Sequence, residues 1–482
     1  MFEAVEELGS AGYSEKQPKR HSAGSGASAS RHDLDVNEQG TTLREKHDGS
    51  GPLHNPSLDL KRTASNVLSK VASRITARSI VSPPPPPDGG VKAWTQVAMC
   101  WLVVLITWGW VNSYGVFQSY YSIELNASAS TISWIGSVQN FLTFFIGAFS
   151  GRLLDAGLYI PTLIVGGTIQ VLGIFFMSLS TTYWQLMLTQ GIMTGIGGGI
   201  FFTPSMGLIG TYFDKKRAIA VGIATTGNSA GGMIYPVFVQ QLLPKLGFAW
   251  AVRVLGFFNL GLLCIIGAFM RPMLPPRKTG SMIDFSGYKE PPYALFVTAV
   301  FFVMWPIYYT FYYLSSFANE VIGISFANAL TITIILNGAG MPFRVIPPFF
   351  ADRYGQLNVA IPTLTILAIV AFCWIAVAST TGIYVYVVFY GAASGAFQCL
   401  FPSTIASLTT DMSKFGTRLG MGFGTISFAA LTGPSLGGAI MAAMDGRYLG
   451  AQLWAALATT LCTVLVVTTR VSKVGWKMKV KV

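Results

Sequence analysis

The chain is 482 residues long, 52% hydrophobic and 11% charged, with a formal net charge of +12. A soluble domain carries roughly 25% charged residues, so a water-clothed fold is excluded. Residues 1–88 hold eleven basic and eleven acidic residues, so the whole positive excess lies beyond them and does not come from a basic nucleic-acid-binding tail.

Residues 1–82 are rich in Ser, Gly, Ala and mixed charges, and are expected to be a disordered tail. Pro83–Pro87 reads as a stiff spacer, with a docking motif for a Pro-binding domain as the alternative. Apolar blocks of about 20 residues then recur, long enough to cross a bilayer as helices. Unpaired backbone groups are costly in lipid, so helices and not strands are expected. The blocks fall at about 95–117, 130–150, 160–180, 184–208, 218–240, 248–269, 293–316, 326–349, 358–378, 382–408, 417–441 and 449–470.

Twelve spans place both termini on one side. Arg152, Lys215, Lys216, Arg217, Arg271, Arg277, Lys278, Lys289, Arg353, Lys414 and Arg418 fall in or next to loops on that side, whereas the opposite loops offer little beyond Lys245 and Arg447. The positive-inside rule then makes the tail and these loops cytoplasmic. Asn126-Ala127-Ser128 is a glycosylation sequon in the first external loop. Gly151–Asp155 after the second span and Ala351–Gly355 after the eighth form similar turns six spans apart, which suggests an internal repeat. The expected organisation is a cytoplasmic tail (1–88), a six-helix bundle (89–270), a central cytoplasmic linker (271–292), a second bundle (293–470) and a short basic cytoplasmic end (471–482).

Within the spans, glycines recur at four-residue spacing: Gly191, Gly195 and Gly199; Gly227 and Gly231; Gly416, Gly420 and Gly424. Such rows serve either sliding helix contacts or simple tight packing. Near-matches to a dinucleotide glycine pattern lack its last glycine, and no GxxxxGK[ST] sequence is present, which argues against a nucleotide site. The five cysteines (Cys100, Cys264, Cys373, Cys399, Cys462) stand singly in apolar blocks, and all four histidines precede the first span. Neither a disulfide framework, a zinc site nor a membrane histidine relay is indicated. No cofactor is expected.

Arg344 is the most informative residue, since it falls inside the eighth block. A charge there costs at least about 2.5–3.5 kcal/mol and faces protein or a water-filled cavity. Asn337, Gly340 and Arg344 share a helix face, with Gly340 leaving room beside the guanidinium. Arg344 reads either as an anchor for a carboxylate or as a charge tied to helix-end carbonyls or snorkelling to the surface. Tyr308, Tyr309, Tyr312 and Tyr313 read as an interfacial belt or as a stacking surface for an aromatic solute, with Tyr309 the candidate contact. Asn112, Asn228 and Gln398 either bond neighbouring helices or line a polar cavity. Arg152, Asp155, Asp352 and Arg353, with Gly195, Gly231 and Gly420, are candidate gating positions. No Asp or Glu falls at mid-span, so proton coupling through such a group lacks a candidate.

Several segments carry a resemblance: Asp88–Trp94 with Asn112–Phe117, Tyr212–Ala220, Gly227–Gly232, Arg344 with Ala351–Arg353, and Ser413–Met421. Over Asp88–Arg470 the sequence resembles the major facilitator superfamily and, more narrowly, fungal members of its monocarboxylate porter family. The resemblance implies an all-α polytopic membrane protein whose two six-helix halves surround a central cavity and work by alternating access. The family's lactate carriers have a lysine in the first span and an aspartate one turn before the arginine; Asn112 and Gly340 stand there, which argues against lactate-type proton symport. The expectation is a non-enzymatic, monomeric plasma-membrane carrier of a monocarboxylate or similar polar metabolite. Secondary-metabolite efflux, a nutrient sensor and a vacuolar location are the alternatives.

Overall fold

A computed structural model describes residues 86–213, 216–273, 284–409, 414–477 and 480–481; among them helices joined by short turns account for all regular structure. The expected tail, with its histidines, lies outside the described residues. Among the described residues, eleven helices are long and apolar enough to cross a membrane. The longest, Arg217–Phe269, is in fact two, because Gly247 breaks it with φ 71° and ψ 172°. That left-handed backbone suits a residue without a Cβ. The arms fold back on each other: the Tyr235 hydroxyl donates to Asn259 Oδ1 at 2.8 Å, and the Phe238 and Phe258 rings lie 5.2 Å apart. Twelve spans result, as the sequence predicts.

They are α1 (Gly90–Ser122), α2 (Ala129–Asp155), α3 (Tyr159–Met177), α4 (Tyr183–Tyr212), α5 and α6 (217–246 and 248–269), α7 (Pro291–Glu320), α8 (326–354), α9 (Gln356–Cys373), α10 (Thr380–Leu408), α11 (Phe415–Ala443) and α12 (Leu449–Val474). The face bearing the α6–α7 connection is called the linker face, the other the distal face. Side-chain caps mark several distal starts. Ser128 accepts from the Thr131 N–H, Ser379 from that of Gly382, and Thr182 and Gln185 form a capping box, each satisfying backbone donors that lipid cannot.

Burial runs opposite to that of a soluble protein. Large apolar side chains point outward from α3 (Ile164, Val165, Leu172), α6 (Phe257, Leu260, Ile265), α9 (Ile366, Ile369, Phe372) and α12 (Leu457, Leu461, Val464). Polar side chains such as Asn112, Gln139, Asn140, Asn228, Asn337 and Arg344 are buried. Only a lipid environment makes the outward stripes favourable. Glycine permits close approaches inside the first half: a Cβ on Gly231 would lie 2.6 Å from Gly109 Cα of α1, and one on Gly195 2.9 Å from the Gln139 carbonyl of α2.

α2 with α11, and α5 with α8, pack together and join the two halves. Two spans are irregular at that level. Leu105–Gly109 of α1 forms a π turn. α8 stops at Phe343 and restarts at Ile346, where Pro342, Pro347 and Pro348 remove backbone donors.

Candidate functional site

Arg344 caps the first segment of α8, so it stands at the proline-made break. Its side chain is 4% exposed, which excludes snorkelling. Nor are helix-end carbonyls its partners. Nε donates to Ser229 Oγ of α5 at 2.9 Å, and Nη2 donates to Gln398 Oε1 of α10 at 3.2 Å. The Asn228 carboxamide satisfies its neighbours when its oxygen faces the guanidinium, accepting from Nη1 at 3.3 Å and Nη2 at 3.0 Å. Its nitrogen then donates to the Trp108 carbonyl at 3.2 Å and, with Asn112 turned so that its oxygen rather than its nitrogen faces it, to the Asn112 carboxamide at 2.6 Å. The guanidinium thus spans both halves on neutral oxygens, and no described Asp or Glu pairs with it. It is a positive charge held ready by dipoles.

Arg344, Asn228, Asn112 and Gln398 are therefore brought together. Asn337 lies one to two turns away, its Nδ2 donating to the Thr333 carbonyl at 3.0 Å and its Oδ1 buried without a partner. Gly340 does not leave space beside the guanidinium. A Cβ there would lie 2.9 Å from the Gly391 carbonyl, so its missing side chain admits the α10 backbone instead.

The tyrosine quartet is no interfacial belt, since all four side chains are buried. Successive residues point about 100° apart on a helix, so the quartet divides into two faces. Tyr309 turns into the second half, where its ring lies 5.7 Å from Trp374 and 5.9 Å from Trp454, whereas the Tyr313 hydroxyl reaches the α2–α11 seam beside Gly438 and Ser133. Tyr308 and Tyr312 turn to the first half. Asn140 of α2 donates to the Tyr312 hydroxyl at 3.1 Å, and Tyr308 lies within electrostatic range of Arg344. Sequence reasoning selected Tyr309; the structure places Tyr308 at the cluster.

Sequence reasoning also passed over a chain of rings beside Arg344. Trp108 lies 4.4 Å from Phe144 and 5.3 Å from Phe202, while Phe144 lies 6.2 Å from Tyr308 and 5.6 Å from Phe423. The available signal was that Trp108 precedes Asn112 by one turn.

The cluster is closed at both faces. On the distal side, Ser119 Oγ and Ser316 Oγ lie 3.5 Å apart, and a Cβ on Gly115 would lie 2.8 Å from the Phe311 carbonyl. On the linker side, a Cβ on Gly420 would lie 2.6 Å from the Ala148 carbonyl, and the Arg217 guanidinium sits over the Phe415 ring at 5.5 Å. Gly420 therefore packs across the halves, whereas Gly195 and Gly231 pack within the first. A cavity of about 450 Å³ lined by Trp94, Trp101 and Ile223 opens elsewhere, on the outer surface of α1 and α5, and takes no part in this cluster.

Of the turn residues, Asp352 and Arg353 are exposed at the linker-face end of α8, and Gln356 donates to Asp352 at 3.3 Å. Arg152 is half-buried at the matching end of α2, and the Asp155 side chain lies outside the described residues. Asn126 is exposed, with φ 46°, in the distal α1–α2 turn. Arg418, read from the sequence as a loop charge, is buried. Its Nε donates to Asp284 at 3.1 Å and its Nη1 to Glu290 at 2.9 Å, which ties the linker to α11. Asp284 is held below the usual carboxylate range by the Ser286 hydroxyl and then by Arg418 and Lys414, and Glu290 by Arg418.

Twelve lipid-facing spans in two joined halves, with a polar cluster sealed at their junction, define a polytopic membrane carrier. Residues 99–409 match the Major Facilitator Superfamily, and the chain belongs to it. It is 42% identical over 393 residues to an "MFS-type transporter" of Gibberella zeae, covering 81% of this chain and 89% of that protein. It is 37% identical to the "MFS-type transporter dbaD" of Emericella nidulans, over 73% and 80% of the two chains. It is 35% identical to the "Aspyridones efflux protein apdF" of the same organism, over 81% of each.

Proposed function

We propose that this transporter exports a small acidic secondary metabolite by alternating access at the plasma membrane, with its termini and linker cytoplasmic. One observation carries the reading: the Arg344 guanidinium is buried at the junction of the halves on neutral acceptors alone. A carboxylate or enolate offers it what Ser229, Asn228 and Gln398 do not, a full negative charge. The bonds to Ser229 and Asn228 cross between the halves, whereas that to Gln398 stays within the second. An incoming anion that draws the guanidinium away from α5 therefore loosens the junction at the moment of binding. Gly420 against Ala148, with Arg152, Asp155, Asp352 and Arg353 in the adjoining turns, forms the linker-face gate. Gly195 and Gly231 keep the first half rigid as it rocks.

The named efflux activity of one relative supports export, and the basic residues of the linker face support the orientation. A second reading, uptake of a monocarboxylate, uses the same anchor and rests on the segments around Asn112 and Arg344. Profiling metabolites inside and outside producing cells separates the two. Export predicts that loss of the protein raises one acidic metabolite inside and depletes it outside, and that Arg344→Met reproduces the effect. An unchanged distribution in both strains removes the export assignment.

A further inference from the structure

We propose that the rings flanking Arg344 select an anion carried on a flat conjugated ring system over a short or flexible aliphatic acid. The inference rests on the anchor reading and adds the cargo's body to its charge. Trp108, Phe144 and Phe202 come from the first half, Tyr308 and Phe423 from the second. The Phe144–Tyr308 and Phe144–Phe423 contacts cross the junction, so any motion that parts the halves exposes both ring faces. The halves also meet through rings farther along the junction, Tyr114 with Tyr312 at 4.7 Å and Phe141 with Phe428 at 5.4 Å, and through the small residues Gly115, Ser119 and Gly420. The Phe144 contacts are set apart by running from Trp108, whose carbonyl joins the Arg344 network, to Tyr308. A cargo that stacks between the parted rings covers what the partner half uncovers, so the open state loses little apolar burial. An aliphatic chain covers the area without the edge and face complementarity of a ring.

A second observation points to the same ligand. The Trp108 indole N–H is buried without a hydrogen-bond partner, although the carbonyl of the same residue belongs to the Asn228 network beside Arg344. A buried donor left unpaired is unfavourable. An oxygen on a ring held against Trp108 satisfies it while the acidic group sits on Arg344.

The test uses the full-length protein in nanodiscs with three probes: 2-naphthoate, octanoate and pyruvate. Each aromatic contact contributes about 2- to 10-fold beyond area burial, so 2-naphthoate is expected to bind roughly 10-fold tighter than octanoate, with pyruvate weaker than both. Trp108→Leu with Phe144→Leu should bring naphthoate to within about 2-fold of octanoate. Trp108→Phe, which keeps an aromatic face while removing the N–H and shrinking the indole to one ring, should retain the preference in reduced form and guards against misfolding of the double variant. Equal binding of naphthoate and octanoate, no naphthoate binding at millimolar concentration, or a preference that survives the double variant overturns the proposal. Arg344→Met separates the two readings. Loss of all three anions supports the anchor, whereas retained binding with the ring preference intact overturns the anchor and leaves the ring selection standing.

Discussion

Replacing Arg344 by Met separates a side chain kept for cargo from one kept for the fold. The guanidinium makes hydrogen bonds at 2.9–3.3 Å to Ser229, Gln398 and Asn228. Bonds from a charged donor contribute roughly 1.5–3 kcal/mol each. Against them stands the several kcal/mol needed to bury an unneutralised cation. The terms nearly cancel, so Arg344→Met is expected to change thermal stability by no more than about 2 kcal/mol in either direction, with an increase the favoured sign. Removing one partner of a buried charge pair, by contrast, costs about 2–5 kcal/mol, or roughly 30- to 5,000-fold in affinity for an anionic cargo. The assay is paired: unfolding followed in detergent, and transport in proteoliposomes reconstituted at equal protein. Collapse of the fold with proportionate loss of transport would show that the arginine is structural. Unimpaired transport would refute the anchor outright.

Further outcomes follow from packing and charge. Gly231→Ala places a methyl 2.6 Å from the Gly109 backbone and 2.7 Å from the Leu105 carbonyl, so a loss of about 1–3 kcal/mol is expected. Gly424→Ala meets nothing within 4 Å and should be neutral or slightly stabilising in thermal unfolding. The linker latch gives a pH dependence. Asp284 and Glu290 have folded pKa values below their unfolded ones, so their contribution is complete above the unfolded value, near 4, and is lost as pH falls through the folded one. Protease cleavage of the linker should therefore accelerate on acidification below about pH 4. In Arg418→Gln it should already be fast at neutral pH, and resistance there would show that the latch does not hold the linker.

The spans were legible because lipid enforces a length and an apolar composition that local sequence alone reveals. Arg344 was legible for the same reason, as a charge in an apolar block stands out without any knowledge of its neighbours. Its partners were less so. Asn228 and Gln398 drew notice as polar residues in spans, but Ser229 did not, since a serine is unremarkable in a helix. Which face of α7 turns to the junction was not legible either, because Tyr308 and Tyr309 differ only in rotation about an axis whose partners lie far away in sequence. The latch shows the same limit. Arg418 pairs with carboxylates 134 and 128 positions earlier, and no spacing rule reaches that far. Gly340 misled because a glycine marks a close approach without saying what approaches.

The central claim is that the two halves part in alternation around the Arg344 cluster. A disulfide across the distal seal tests it most directly. Ser119 and Ser316, whose hydroxyl oxygens lie 3.5 Å apart, are replaced by cysteines in a background lacking the five native ones. Oxidation should form the cross-link and arrest transport in proteoliposomes, and a reductant should restore it. Transport that continues at the uncross-linked rate with the bond fully formed would contradict the account.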